Sequence, residues 1–162
     1  MNSYSKNEVK ALLEENNLSQ PKAKYSNNVI LSMLDKVSDN TIFEVEPTKK
    51  GFKLNRGTLV EEIVKSILGV KVNKSYSGKA DIDLKDVDNA KYGLPTYAKK
   101  IEVKFATTFA PASASNPNTK YVILITNEGA FLMNANEHEG RYTNYSAYDG
   151  TKLDKLSEML GF

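Results

Sequence analysis

The sequence has no cysteine and a single histidine, His138. Without cysteine there is no disulfide framework, no thiol nucleophile and no thiolate-held zinc. One imidazole cannot build a histidine cage, so any metal must be held by oxygen, which leaves hard cations, magnesium above all with manganese as a substitute. Also missing are an apolar run of membrane-spanning length and a charged-then-apolar leader. The expectation is a cytoplasmic, intracellular chain with no membrane partner. There is no phosphate-binding Gly-rich loop and no serine-hydrolase elbow.

What is present suits one globular domain over 1–162: 40% hydrophobic and 26% charged residues, enough to bury a real core. The formal net charge is only +2, but residues 49–104 carry thirteen Lys or Arg against seven Asp or Glu. A basic field around acidic side chains suits a polyanionic substrate, although lysines also simply solvate exposed faces.

Ser5 and Glu8 have capping-box spacing, and Val9, Leu12 and Leu13 follow at helical intervals, predicting a first helix to about Asn16. Val29, Ile30, Met33, Leu34 and Val37 predict a second, capped by Ser26 or Asn27. A short strand is expected over 41–46. Residues 1–50 thus read as a helical arm packed on a core at 55–133, followed by a tyrosine-rich loop and C-terminal helix at 134–162. The third helix, about 57–68, is the clearest, with Leu59, Val60, Ile63, Val64, Ile67 and Leu68 on one half of the wheel. Glu61 falls on the border of that arc and Glu62 farther into solvent. Gly69 ends the helix, and strands are expected over 70–76 and 79–84. A connecting loop at 86–97 leads to a strand at about 98–105, then a mobile loop at 106–119. The apolar run 121–125 reads as a strand covered on both faces, turned by Asn127-Glu128-Gly129 into a hairpin partner at 130–133. A final amphipathic helix starts from Thr151.

Chemistry concentrates on Ile101-Glu102-Val103-Lys104. On a strand, Glu102 and Lys104 point to one face and Ile101 and Val103 to the other. A second acidic strand, Ala80-Asp81-Ile82-Asp83-Leu84, lies upstream, and before it the helix carrying Glu61. This ordered set resembles the active-site signature of the PD-(D/E)xK nuclease superfamily, in which a helix Glu precedes a mixed sheet, an Asp sits on the second strand and Glu-x-Lys on the third. The likeness covers about residues 55–133, and departs from the pattern at Ala80, where many members have proline.

The resemblance implies an α/β fold, a central mixed β-sheet flanked by helices, restriction-endonuclease-like. It implies a Mg2+-dependent DNA endonuclease hydrolysing phosphodiester bonds, restriction-type or junction-resolving, and hence a homodimer with two active sites. Carried over, the catalytic set is Glu61, Asp81, Glu102 and Lys104. Asp81, Glu102 and the backbone carbonyl of Val103 form the hard-oxygen set that magnesium prefers. Lys104 would stabilise the developing anion or orient the attacking water. Arg56, Lys79, Thr107 and Arg141 are candidate nucleic-acid contacts, as are loops 86–97 and 106–119.

Each residue also has a purely structural reading. Thr58 and Glu61 have capping-box spacing, and Glu61 can pair with Lys65. Asp83 shares a strand face with Asp81 and is an alternative ligand. Glu102 and Lys104 would also make an ordinary charge pair on a solvated sheet face. An RNase or toxin-type nuclease on the same fold, or a non-catalytic nucleic-acid-binding or inhibitory protein, are the alternative functions.

Overall fold

A computed structural model describes residues 2–70, 82–106, 121–133 and 150–162, and the backbone alone of 112–114, 134 and 143–145. The chain opens with β1 (Asn2–Ser5), which runs into α1 (Lys6–Ser19). The capping box is formed: Glu8 donates its backbone N–H to the Ser5 hydroxyl, and Ser5 donates its own to the Glu8 carboxylate, both at 3.1 Å. The helix runs one turn-fraction past the expected Asn16 and stops before a short 3-10 turn at Pro21–Ala23. Next comes α2 (Lys24–Leu34). Neither Ser26 nor Asn27 caps it; both lie inside the helix, and Ala23 stands at the cap without a side-chain hydrogen bond.

Then β2 (Ile42–Val45) pairs antiparallel with β1 as a separate two-stranded sheet. It alternates as a half-buried strand should, with Phe43 and Val45 buried and Ile42 exposed. α3 (Arg56–Leu68) packs on both β2 and the central sheet. Its cap is Asn55, whose side-chain oxygen accepts from the Thr58 N–H at 3.2 Å, so Thr58 and Glu61 do not form the capping box their spacing suggested. At its C-terminal end Gly69 takes the left-handed conformation, φ 68°, that closes a helix at least cost for glycine.

The central sheet has five strands in the order β3 (Ile82–Asp83), β4 (Lys100–Phe105), β6 (Tyr121–Thr126), β7 (Gly129–Asn134), β9 (Thr151–Lys152). β5 (Ala112–Ala114) and β8 (Thr143–Tyr145) form a separate antiparallel pair. β4 and β6 are parallel and the other neighbours in the central sheet antiparallel, so the sheet is mixed. α/β architecture with a mixed sheet and helices is therefore what the chain forms. Thr151 and Lys152, expected to begin the last helix, are instead its short edge strand, and α4 covers Asp154–Met159. Ser157 on α4 accepts the Ala130 N–H at 2.9 Å and so pins the helix to the β6–β7 hairpin.

The first fifty residues are part of the core rather than an arm laid over it. Val9, Leu13, Ile30, Met33, Leu34 and Phe43 are fully buried in the same hydrophobic cluster as Ile63, Ile101 and Ile123. A polar network ties the three long helices together. Arg56 donates to Asn27 Oδ1 at 2.7 Å and to Asn16 Oδ1 at 2.6 Å, while Asn27 donates to Asn16 and Asn17, each at 2.9 Å. The Arg56 guanidinium also stacks over the Phe52 ring, 5.0 Å from its centroid. Arg56→Ala leaves the fully buried Asn27 amide without its charged donor. A loss of about 2 kcal/mol is expected, read from urea denaturation at unchanged slope.

Candidate functional site

The alternation expected of β4 is observed, and it divides the strand between two environments. Ile101 and Val103 enter the cluster shared with α3. Glu102 and Lys104 therefore point to the opposite face. There the register sets Glu102 beside Val122 and Lys104 beside Leu124, with Met133 and Phe131 one strand farther on. All four apolar residues are buried, so this is a covered face and not a solvated one.

On that face the Lys104 ammonium lies 3.1 Å from Glu102 Oε1. The Glu102 side chain is only 12% exposed and that of Lys104 36%. Glu102 Oε2 is buried and has no hydrogen-bond partner among the described residues. A buried carboxylate oxygen left unsatisfied is costly, and proteins retain such atoms chiefly where another group is to be met. The site thus offers one unsatisfied hard oxygen with an ammonium fixed beside its twin.

Glu61 sits on α3, where its carboxylate accepts from Lys65 Nζ at 2.8 Å. Lys65 also lies 3.6 Å from Glu62 and is itself only 6% exposed. Glu62, expected to point into solvent, is the more buried of the two acids, its side chain 13% exposed against 22% for Glu61. The reason is that α3 is flanked on two sides, by β2 as well as by the central sheet, so the wheel's polar border is covered. Burial pushes the Glu62 carboxyl up from the usual range, and Glu44 on β2 adds to the rise against the opposing pull of Lys65. The folded state therefore binds this proton more tightly than the unfolded chain. Glu62 lowers stability as pH rises through the ordinary glutamate value toward its raised one. Unfolding free energy measured from pH 4 to 7 should fall less steeply in Glu62→Gln than in the wild type.

Of the remaining candidates, Asp81, Lys79, Thr107 and Arg141 lie outside the described residues, as do all but the first residue of the strand expected at 70–76 and the side chains of 107–120. Asp83 is in β3, opposite Lys100, and accepts the Lys85 N–H at 3.0 Å. Arg56 is engaged by Asn16, Asn27 and Phe52. Loop 86–97 is partly core: Tyr92, Leu94 and Asn89 are buried, and Asn89 donates to the Pro95 and Ala98 carbonyls. Among the described residues no three acidic or imidazole side chains gather closely enough to hold a metal ion. The structure brings Glu102 and Lys104 together, and it places Glu61 with Lys65. The Glu61–Lys65 pair is the one their i,i+4 spacing led us to expect, whereas the burial of Lys65 and its approach to Glu62 escaped the sequence reading.

Comparison of the chain with protein-family models, with curated proteins and with solved structures gave no match. No described helix is long and apolar enough to cross a membrane.

Proposed function

We propose that this chain is a magnesium-dependent endonuclease acting on DNA, with a restriction-endonuclease-like core and a homodimeric assembly where both strands are cut. One observation carries the reading: the buried Glu102 carboxylate, bonded to Lys104 through one oxygen and, among the described residues, unsatisfied at the other. Glu102 Oε2 fits a cation ligand, being a buried carboxylate oxygen with no competing donor among the described residues. In the β3–β4 ladder Ile82 pairs with Ile101 and Asp83 with Lys100. On the sequence resemblance we assign Asp81 as a second carboxylate, with the Val103 carbonyl as a further oxygen. A bound magnesium ion supplies polarisation of the phosphate and a more acidic water. Lys104 holds its positive charge where negative charge develops on the phosphate. Glu61, kept in place by Lys65, is assigned to the same machinery on the strength of the resemblance alone.

A non-catalytic nucleic-acid-binding protein is the second reading. It is favoured by the internal neutralisation of Glu102 by Lys104 and by the lack of a three-acid cluster among the described residues. Linear, plasmid, four-way-junction and RNA substrates incubated with Mg2+, and in parallel with EDTA, separate the two. Metal-dependent cutting of a DNA substrate is the expected result, and cutting of RNA alone points to the RNase alternative. Gel retardation of DNA that stays uncut across Mg2+ and Mn2+ removes the enzymatic reading.

A further inference from the structure

Between the C-terminal half of α1 and the turn at Gly51–Lys53 lies a cleft of about 200 Å³, walled by Leu12, Asn16, Ser19 and Phe52 with Glu15 and Lys53 at its rim. Asn16 is 7% exposed, and its amide orientation is fixed by chemistry. Arginine can only donate, so the oxygen of Asn16 must face Arg56. That oxygen also receives the Asn27 amide. The Asn16 NH2 group is turned away from both and makes no hydrogen bond to any described residue. Asn16 thus lines the cleft beside an aromatic ring with its acceptor doubly used and its NH2 free to donate. That ring is braced by the Arg56 guanidinium, so it is a rigid platform.

We infer that this cleft binds the base of a pyrimidine nucleotide, stacked on Phe52, with a base carbonyl accepting from Asn16 Nδ2 and the phosphate reaching Lys53. The volume is below the roughly 300 Å³ at which sites for drug-sized ligands begin, which restricts the occupant to one small ring system. Because Asn16 offers a donor alone, it cannot make the two-point contact by which asparagine reads adenine. A keto-bearing pyrimidine satisfies it with one oxygen. The cleft deepens the nucleic-acid reading above by adding a base subsite. Its binding needs no metal, so its test stands apart from that of cleavage.

The test is a titration of 15N-labelled full-length protein in EDTA with thymidine, thymidine 5′-monophosphate and an oligothymidylate, followed through the Asn16 side-chain NH2 and Phe52 backbone resonances. Saturable shifts at both residues are expected with all three ligands. Tighter binding of the oligonucleotide assigns a strand as the source of the base, and equal binding a free nucleotide; both agree with the subsite. Asn16→Asp keeps an oxygen for Arg56 and Asn27 while deleting the donor. Its thermal midpoint should not fall, yet thymidine, which has no phosphate to be repelled, should bind at least tenfold more weakly. Phe52→Leu should cost about tenfold through lost stacking. The subsite is overturned by shifts at neither residue with any ligand, or by a folded Asn16→Asp that binds thymidine as the wild type does.

Discussion

Glu102→Gln will reduce metal-dependent DNA cleavage by at least about a hundredfold, the scale of losing one electrostatic contact to the reacting group. The expectation rests on a side chain 12% exposed whose second oxygen has no partner among the described residues. Glutamine keeps the shape and an oxygen but gives up the charge that a cation would meet. Stability should move the other way. A carboxylate pressed among Val122, Leu124 and Met133 is a cost to the fold, and Lys104 is open enough to solvent to lose its partner cheaply. In Glu102→Leu, unfolding free energy should therefore hold or rise by about 1 kcal/mol, a midpoint gain of about 2–4 °C for a chain of this size. Loss of cutting together with a gain in stability is what a residue kept for function produces. A large stability loss in both variants would make Glu102 a structural member of the sheet.

Lys65→Met will have the largest effect on the fold. Its ammonium is buried between Glu61 at 2.8 Å and Glu62 at 3.6 Å, and removing it leaves two carboxylates on a covered helix flank. Breaking a buried pair from one side costs about 3 kcal/mol or more, equivalent to a midpoint lower by about 10 °C. The loss should shrink when the pH is lowered toward 5, because burial and Glu44 already favour the protonated form of Glu62. Adding Glu61→Gln and Glu62→Gln to Lys65→Met should recover part of the stability, since the uncompensated charges go with them. Thermal unfolding of the wild type, Lys65→Met and the combined variant at pH 5 and 7 reads both effects. A pH-independent loss would trace the destabilisation to packing of the lysine stem.

What could be read from the sequence was chemistry that acts over a few residues. The Ser5–Glu8 box, the apolar stripe of α3, its Gly69 stop, the alternation of β4 and the hairpin turn from β6 into β7 all follow from local spacing. Features decided by distant partners were not legible. Asn27 has the composition of a cap, yet it lies inside α2 because α1 and Arg56 offer its amide three partners. Glu62 reads as solvent-facing until β2, seventeen residues earlier, covers it. β1 is a polar tetrapeptide with no strand periodicity, and only its pairing with β2 makes it one. Of the candidate site, the shared face of Glu102 and Lys104 was legible from strand geometry. Its burial was not, since that depends on Val122, Leu124, Phe131 and Met133 arriving from two later strands.

The central claim is that β4 carries metal-dependent phosphodiester chemistry. It is tested most directly by the rate at which supercoiled plasmid is cut in Mg2+ by wild type, Glu102→Gln and Lys104→Ala, purified identically and shown by circular dichroism to be folded. The account predicts cutting by the wild type that EDTA abolishes, and almost none by either variant. Equal cutting by all three, or none by any of them, would contradict it.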